Sequence, residues 1–303
     1  MSNQKIVRNP SPEEIDIVNK RQMAPARPKQ VITEPVASTT DSGLKPTTNP
    51  FEPAALPCML PSGNLIVPSG TILLRRMTTV EEQIFTDIAF KYMQKNIQSP
   101  ELFMNAITDV LNNCVKSKVD VKDLLIIDKI PLFLHVLILT YGSTFTTDFV
   151  CSKCAQSFPH KISLKDIPII TVPANTEYPR RIEILKSFEF PVTIYLQYPT
   201  IHFESLWLKD TPNVLSMFYA LIADVEGTLP DGSPITMAYA KTIAENLHPD
   251  DKTQLKQFIN DFGKYGADLS LDLEVCQNKT CEEFSQVKKV SFDLENLFFK
   301  IFQ

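Results

Sequence analysis

The spacing of apolar and polar positions becomes that of a folding chain from Cys58 onward. Leu65-Ile66-Val67, a Pro68-Ser69-Gly70 turn and Thr71-Ile72-Leu73-Leu74-Arg75 predict a β-hairpin. Thr79, with Glu82 three residues on, reads as a capping box opening a helix to about Gln94. Ile84, Phe85, Ile88, Ala89 and Tyr92 share one face of it. Ser99-Pro100-Glu101 starts a second helix with Phe103, Ile107, Val110, Leu111 and Cys114 inward. Asp128 is placed as the cap of a third, more fully buried helix that stops before Gly142. Thr144 to Val150 then predicts a strand running into Cys151.

The following stretch repeats that plan. Arg181–Lys186 and Val192–Gln197, broken at Ser187–Pro191, predict a second hairpin. Helical segments are expected over 201–209, 213–226, 235–247 and 250–264, interrupted by the Gly227–Gly232 turn cluster. Gly266 takes the role of Gly142, and Leu269–Val275 predicts a strand running into Cys276. Tyr141-Gly142 and Tyr265-Gly266 precede their cysteines at nearly equal distances. Phe158 and Phe284 follow theirs. These parallels suggest an internal duplication, with chance similarity as the alternative.

Composition separates the N-terminus from this plan. Of 303 residues, 44% are apolar and 21% charged, a globular balance. Residues 1–57, however, hold nine of the 23 prolines and few large apolar side chains. Such a segment is either a free disordered tail or an extended arm that orders along a partner. Ile6, Val7, Ile15, Ile17 and Val18 are the candidate anchors. The expected organisation is an arm over 1–57, a first α/β repeat over 58–172 and a second over 173–303. The fold class expected is α+β, two similar helix-plus-hairpin halves joined by zinc-ribbon-like cysteine knuckles.

The net charge of −5 leaves no electrostatic footprint for non-specific nucleic-acid binding. The N-terminus lacks the apolar core of a signal peptide. The longest apolar run, Ile130–Leu139, is too short to span a bilayer. A soluble protein made in a reducing cytoplasm, with no membrane partner, is the expectation.

The cysteines carry the candidate chemistry. Cys151-Ser152-Lys153-Cys154 is a CxxC, and Cys276 and Cys281 form a CxxxxC 125 residues later. Each pair lies between strand-like runs, Phe149-Val150 and Phe158–Leu164 for one, Leu273–Val275 and Val287–Phe292 for the other. Two hairpin turns can offer four thiolates to one tetrahedral Zn²⁺. Free buried thiols and a redox-active CxxC are the alternatives. The segment after the CxxC reads as strand, and a redox motif belongs at a helix start. A closed four-sulfur site has no open coordination position, so its role would be structural. His160 is the other nearby ligand candidate, read as a surface residue; Cys58 and Cys114 are read as small apolar residues.

Catalytic and cofactor motifs are missing: no phosphate-binding glycine loop, HExxH, GxSxG or dinucleotide fingerprint occurs. His135, His160, His202 and His248 are scattered, with His135 read as a satisfied core residue. Glu81-Glu82 and Asp250-Asp251 fall in first helical turns, where they complement the helix dipole. Arg75-Arg76 and Arg180-Arg181 read as surface ion-pair partners.

Leu60-Pro61-Ser62-Gly63, Leu74-Arg75-Arg76-Met77-Thr78, Val80-Glu81-Glu82, Thr140-Tyr141-Gly142, Phe149–Cys154 and Cys276…Cys281…Phe292-Asp293-Leu294…Phe298-Phe299 occur in this order. Together they resemble the baseplate hub assembly and tail baseplate proteins of T-even-like contractile-tailed bacteriophages, over residues 58–303. The CxxxxC departs from the CxxC expected there. The resemblance implies a non-enzymatic baseplate or tail-assembly protein, in the virion tail baseplate or in the host cytoplasm during assembly. Its partners would be other baseplate or hub subunits, met in part through the arm. A zinc-ribbon nucleic-acid or transcription module is the rival reading, and an enzyme of unrecognised type a third.

Overall fold

The computed structural model describes residues 52–95, 100–206, 208, 214–274 and 276–291, without the side chains of 92–95 and 214. Most of the proposed arm, the Tyr92 side chain, part of the 201–226 helical region, Val275 and the motif from Phe292 onward lie outside the described residues.

The first hairpin pairs β1 (Ala55–Met59) with β2 (Thr71–Arg75), so Leu65-Ile66-Val67 is not its first strand. Those three residues belong to a turning segment and are half-buried at the boundary between two apolar clusters. Val67 packs on one cluster, Leu65 on the other, and Ile66 on both. Hydrophobicity there serves packing rather than strand pairing. The far side of β2 is tied to the segment after the second helix: Lys116 N–H donates to Leu73 O (2.9 Å) and Leu73 N–H to Ser117 Oγ (2.8 Å). Leu73 therefore turns its polar groups away from β1, and its partner Pro57 presents a residue without N–H to the open edge. A proline at that position blunts the edge against further strand addition.

Helix α1 (Thr79–Lys95) is capped one residue earlier than expected. Glu81 accepts both the Thr78 N–H (2.8 Å) and the Thr78 hydroxyl (2.7 Å). Glu81 also accepts a bidentate pair from Arg75 (2.9 and 3.0 Å), which buries both side chains and makes Arg75 a structural ion pair rather than a surface one. Arg76 stays exposed, as do Arg180 and Arg181, which reach Asp261 and Glu183. α2 (Pro100–Cys114) buries Phe103, Ile107, Val110, Leu111 and Cys114.

α3 (Ile126–Tyr141) ends at Gly142 as expected, but its N-cap is Leu125. Asp128 lies inside the first turn, fully buried, and accepts the Ser62 N–H (2.9 Å). His135, in the same helix, keeps Nε2 buried with no partner among the described residues, so it is not a satisfied core histidine. α3 leads into β3 (Thr144–Val150), which pairs with β4 (Ser157–Ser163). β1–β2, α1–α3 and β3–β4 supply most of the first apolar cluster.

The second cluster forms on an antiparallel sheet in the order β6 (Arg180–Ile184), β7 (Val192–Leu196), β8 (Ile222–Gly227). The helix expected to reach 226 stops at Leu221, giving α4 (Val214–Leu221), and the chain passes directly into β8. Pairing with β7 buries Ile222 and Val225, and this tertiary ladder outweighs local helical spacing. The 201–209 segment is a short 3₁₀ helix, Ile201–Leu206, and α5 (Ala240–Glu245) and α6 (Pro249–Phe262) pack on the second cluster. In α6, Asp251 is buried and ties down the 185–187 turn by accepting from Leu185 N–H, Lys186 N–H and Ser187 hydroxyl.

Gly266 does not repeat Gly142. α6 ends at Gly263, while Gly266 sits in β9 (Gly266–Ala267), paired with β5 (Ile169–Ile170). Its φ is +100°, and a Cβ there would come within 3.0 Å of Ile127 O. Pro131, inside α3, cannot donate to that carbonyl. The loss of one helical hydrogen bond and the lack of a side chain at 266 thus meet at one contact.

Where the two clusters adjoin, the chain is cross-tied. Leu125 and Ile127 belong to the second cluster, while Leu132 to Leu137 of the same helix region belong to the first. Ile126 N–H donates to Pro199 O (3.0 Å), Ile201 N–H to Leu124 O (2.9 Å) and Val172 N–H to Pro61 O (2.8 Å). Lys129 and Glu204 form a buried ion pair here. Among the described residues no helix is long and apolar enough to cross a membrane.

Candidate metal centre

The two cysteine pairs sit at the tips of matching hairpins. β3 delivers Cys151 at its end, and β4 departs at Ser157. The second hairpin joins β10 (Ser270–Glu274) to β11 (Val287–Ser291), with Cys276 and Cys281 in the connection. In the first loop, Ala155 N–H donates to Cys151 O (2.9 Å) with Ala155 at φ +55°. In the second, Ser285 N–H donates to Cys276 O (3.0 Å) with Ser285 at φ +56°. Each loop closes on the carbonyl of its first cysteine through a left-handed non-glycine residue, and each is followed by Gln and then the return strand. Phe158 and Phe284, matched by sequence spacing, are not equivalent: Phe158 lies in β4, whereas Phe284 precedes the left-handed residue and is exposed.

The four Sγ atoms lie within 4.8 Å of one another. Cys151 and Cys281 are 3.9 Å apart and Cys154 and Cys276 3.7 Å. Disulfide sulfurs sit at ~2.05 Å, and all six cysteines are free. Four sulfurs at ~2.3 Å around a tetrahedral centre would lie about 3.8 Å from one another. The cluster therefore has the dimensions of a four-thiolate cage, with Cys151 and Cys276 buried and Cys154 and Cys281 half-buried. The four residues could hold a metal ion.

The thiols differ. The backbone N–H of Gln156, donating to sulfur, is the main influence holding Cys154 down at about 7, while burial pushes Cys276 up to about 12. A cation binds the deprotonated forms and removes that spread. Glu283, buried and unsignalled by the cysteine spacing, stands beside the cluster. Its Oε2 is 3.6 Å from Cys151 Sγ and 3.4 Å from Ser152 Oγ, and its other oxygen pairs with Lys288. His160 is not part of the cluster and is not at the surface. It is buried on the inner face of β4, edge-on to Phe149 at 5.4 Å, with Nε2 unpartnered among the described residues. Cys58 and Cys114 are buried apart from the cluster, their thiols pushed up to about 11 and about 12 by burial.

The cysteine cluster joins the middle of this α+β chain to its C-terminal region. Residues 60–299 match the family described as T4 bacteriophage base plate protein, and the chain belongs to that family. Membership implies a place in the virion tail and contact with other baseplate proteins. Searches of curated proteins and of solved structures returned no match.

Proposed function

We propose that this chain is a non-enzymatic structural or assembly component of a contractile-tail baseplate, built as two α/β halves clamped by one structural Zn²⁺. The observation that carries the reading is the convergence of Cys151, Cys154, Cys276 and Cys281 to sulfur separations suited to a tetrahedral ion. The halves run over 58–172 and 173–303, and the Pro-rich segment 1–57 is the arm that docks on neighbouring hub or baseplate subunits. Family membership supports the setting, and the absence of catalytic motifs from the sequence agrees with it.

Metal analysis of protein purified in reducing buffer tests the site: one zinc per chain is expected, and a near-zero content rejects it. Limited proteolysis tests the arm, which should be cut readily in free protein and protected in assembled baseplates; equal cleavage removes the docking claim. Mass spectrometry of purified particles decides between a resident component and an assembly factor. Retention on DNA at physiological salt would favour the nucleic-acid reading, which the acidic charge opposes.

A further inference from the structure

Among the described residues, no sheet hydrogen bond joins β3–β4 to β10–β11; each is a separate two-stranded sheet. The loops at their tips share no backbone hydrogen bond either. Side chains therefore bring Cys151 and Cys154 up to Cys276 and Cys281. Apart from the sulfur–sulfur approaches, the polar contacts that cross between the loops converge on one atom. Glu283 Oε2, from the second loop, lies 3.6 Å from Cys151 Sγ and 3.4 Å from Ser152 Oγ, both in the first. Glu283 Oε1 pairs with Lys288 of β11, in its own hairpin.

By charge alone that carboxylate is out of place. Glu283 is 6% exposed, and burying a carboxylate is costly unless it is paired and hydrogen-bonded. Four thiolates around one divalent cation leave a net negative charge. A further anion beside Cys151 opposes such a cluster, and Lys288 offsets it. Before a cation arrives the balance is different. The Cys151 thiol and the Ser152 hydroxyl are then donors, and an ionised carboxylate is a strong acceptor for both.

We propose that Glu283 is a positioning residue, which docks the first cysteine loop onto the second in the metal-free chain and so presets the four sulfurs for the cation. The inference rests on the metal reading of the cluster. Docking requires an acceptor at position 283 and not its charge. Lys288 neutralises the charge that stays beside the loaded cage. Residues behind a metal's own ligands commonly change its affinity by about 10–100-fold.

The full chain, in reducing buffer, is titrated with Co²⁺ against a competing chelator, the cobalt–thiolate absorption reporting affinity and the sulfurs held. Amide hydrogen exchange of the metal-free chain follows Cys151 and Ala155, whose N–H groups close the first loop. Glu283→Ala should weaken Co²⁺ about tenfold with the four-sulfur absorption retained, and should speed exchange at both amides. Glu283→Gln keeps an acceptor and should stay within about threefold of the wild type, with exchange unchanged. Lys288→Ala should weaken Co²⁺, and adding Glu283→Gln should restore it. A wild-type chain that takes up no cobalt overturns the metal reading, and the presetting with it. With cobalt bound by the wild type, three results overturn this proposal alone: Glu283→Ala binding as tightly as the wild type, Glu283→Ala leaving exchange unchanged, or Glu283→Gln binding as weakly as Glu283→Ala.

Discussion

The hairpins β3–β4 and β10–β11 reach one sulfur geometry by different routes. The first turns in six residues, 151–156, and its two cysteines lie three apart. The second takes twelve, 275–286, with its cysteines five apart. What they share is the closure: a backbone N–H from a left-handed Ala155 or Ser285 onto the first cysteine's carbonyl. The longer loop places five of its six extra residues between Cys276 and Ser285, where they also bring in Glu283 and its Lys288 partner. Loop length varies, while the first sulfur and the closing residue are constrained. A similar contrast separates two glycines. Gly142 ends a helix in open space, whereas Gly266 lies against the Ile127 carbonyl of the other cluster's helix.

The largest test asks whether the hairpins form one site. Cys154→Ser and Cys276→Ser should each abolish zinc retention and lower stability by several kcal/mol, on the order of 10 °C in thermal midpoint. Loss from only one variant would mean the pairs act separately. Next is the junction between the clusters: Lys129→Met should cost about 3–5 kcal/mol in urea unfolding because it strands Glu204. Lys129→Met combined with Glu204→Met should recover most of that, and failure to do so would give the pair a role beyond mutual compensation.

Asp128 gives the junction a pH signature. Burial raises its carboxyl to about 6, against the Ser62 N–H hydrogen bond, which favours the charged form. A folded-state value above the unfolded one means the stabilising contribution is complete below about pH 4 and lost as pH rises through about 6. Urea unfolding should therefore show a gain on the order of 3 kcal/mol from pH 7 to pH 4 attributable to this group. Asp128→Asn should remove that slope. If the slope survives, another group carries it.

The two glycines sharpen the contrast further. Gly266→Ala should cost about 2 kcal/mol, from its left-handed backbone and the approach to Ile127 O. Gly142→Ala, with open space around it, should cost about 1 kcal/mol. Equal losses would dissolve the distinction. The smallest expected effect sharpens the shared closure. Ala155→Gly and Ser285→Gly should each be neutral or stabilising by up to about 1 kcal/mol, with zinc retained.

Much of this was legible in the chain. α2, α3, β3, β6 and β7 follow from apolar spacing and breakers, because each buries one face against a neighbour close in sequence. The four cysteines were legible too, since thiol pairs after strands have few other uses. Glu81 and Asp251 do fall in first helical turns, but their buried partners were not legible and Asp128 was misplaced as a cap, because nothing local says that Ser62, Arg75 or the 185–187 turn will arrive beside them. Leu65-Ile66-Val67 and Ile222–Gly227 were assigned to the wrong structures for the same reason.

The sequence alone determined α1 to α3 in outline, the hairpins that carry the cysteines and the family to which the chain belongs. These depend on periodicity, turn residues and thiol chemistry acting over a few positions. Only the tertiary structure decided that sulfurs 122 and 130 residues apart share one cage, that Gly266 faces a proline-freed carbonyl, and that Asp128 is buried against Ser62. Each of those is a contact between distant segments, fixed by how two apolar clusters close on each other.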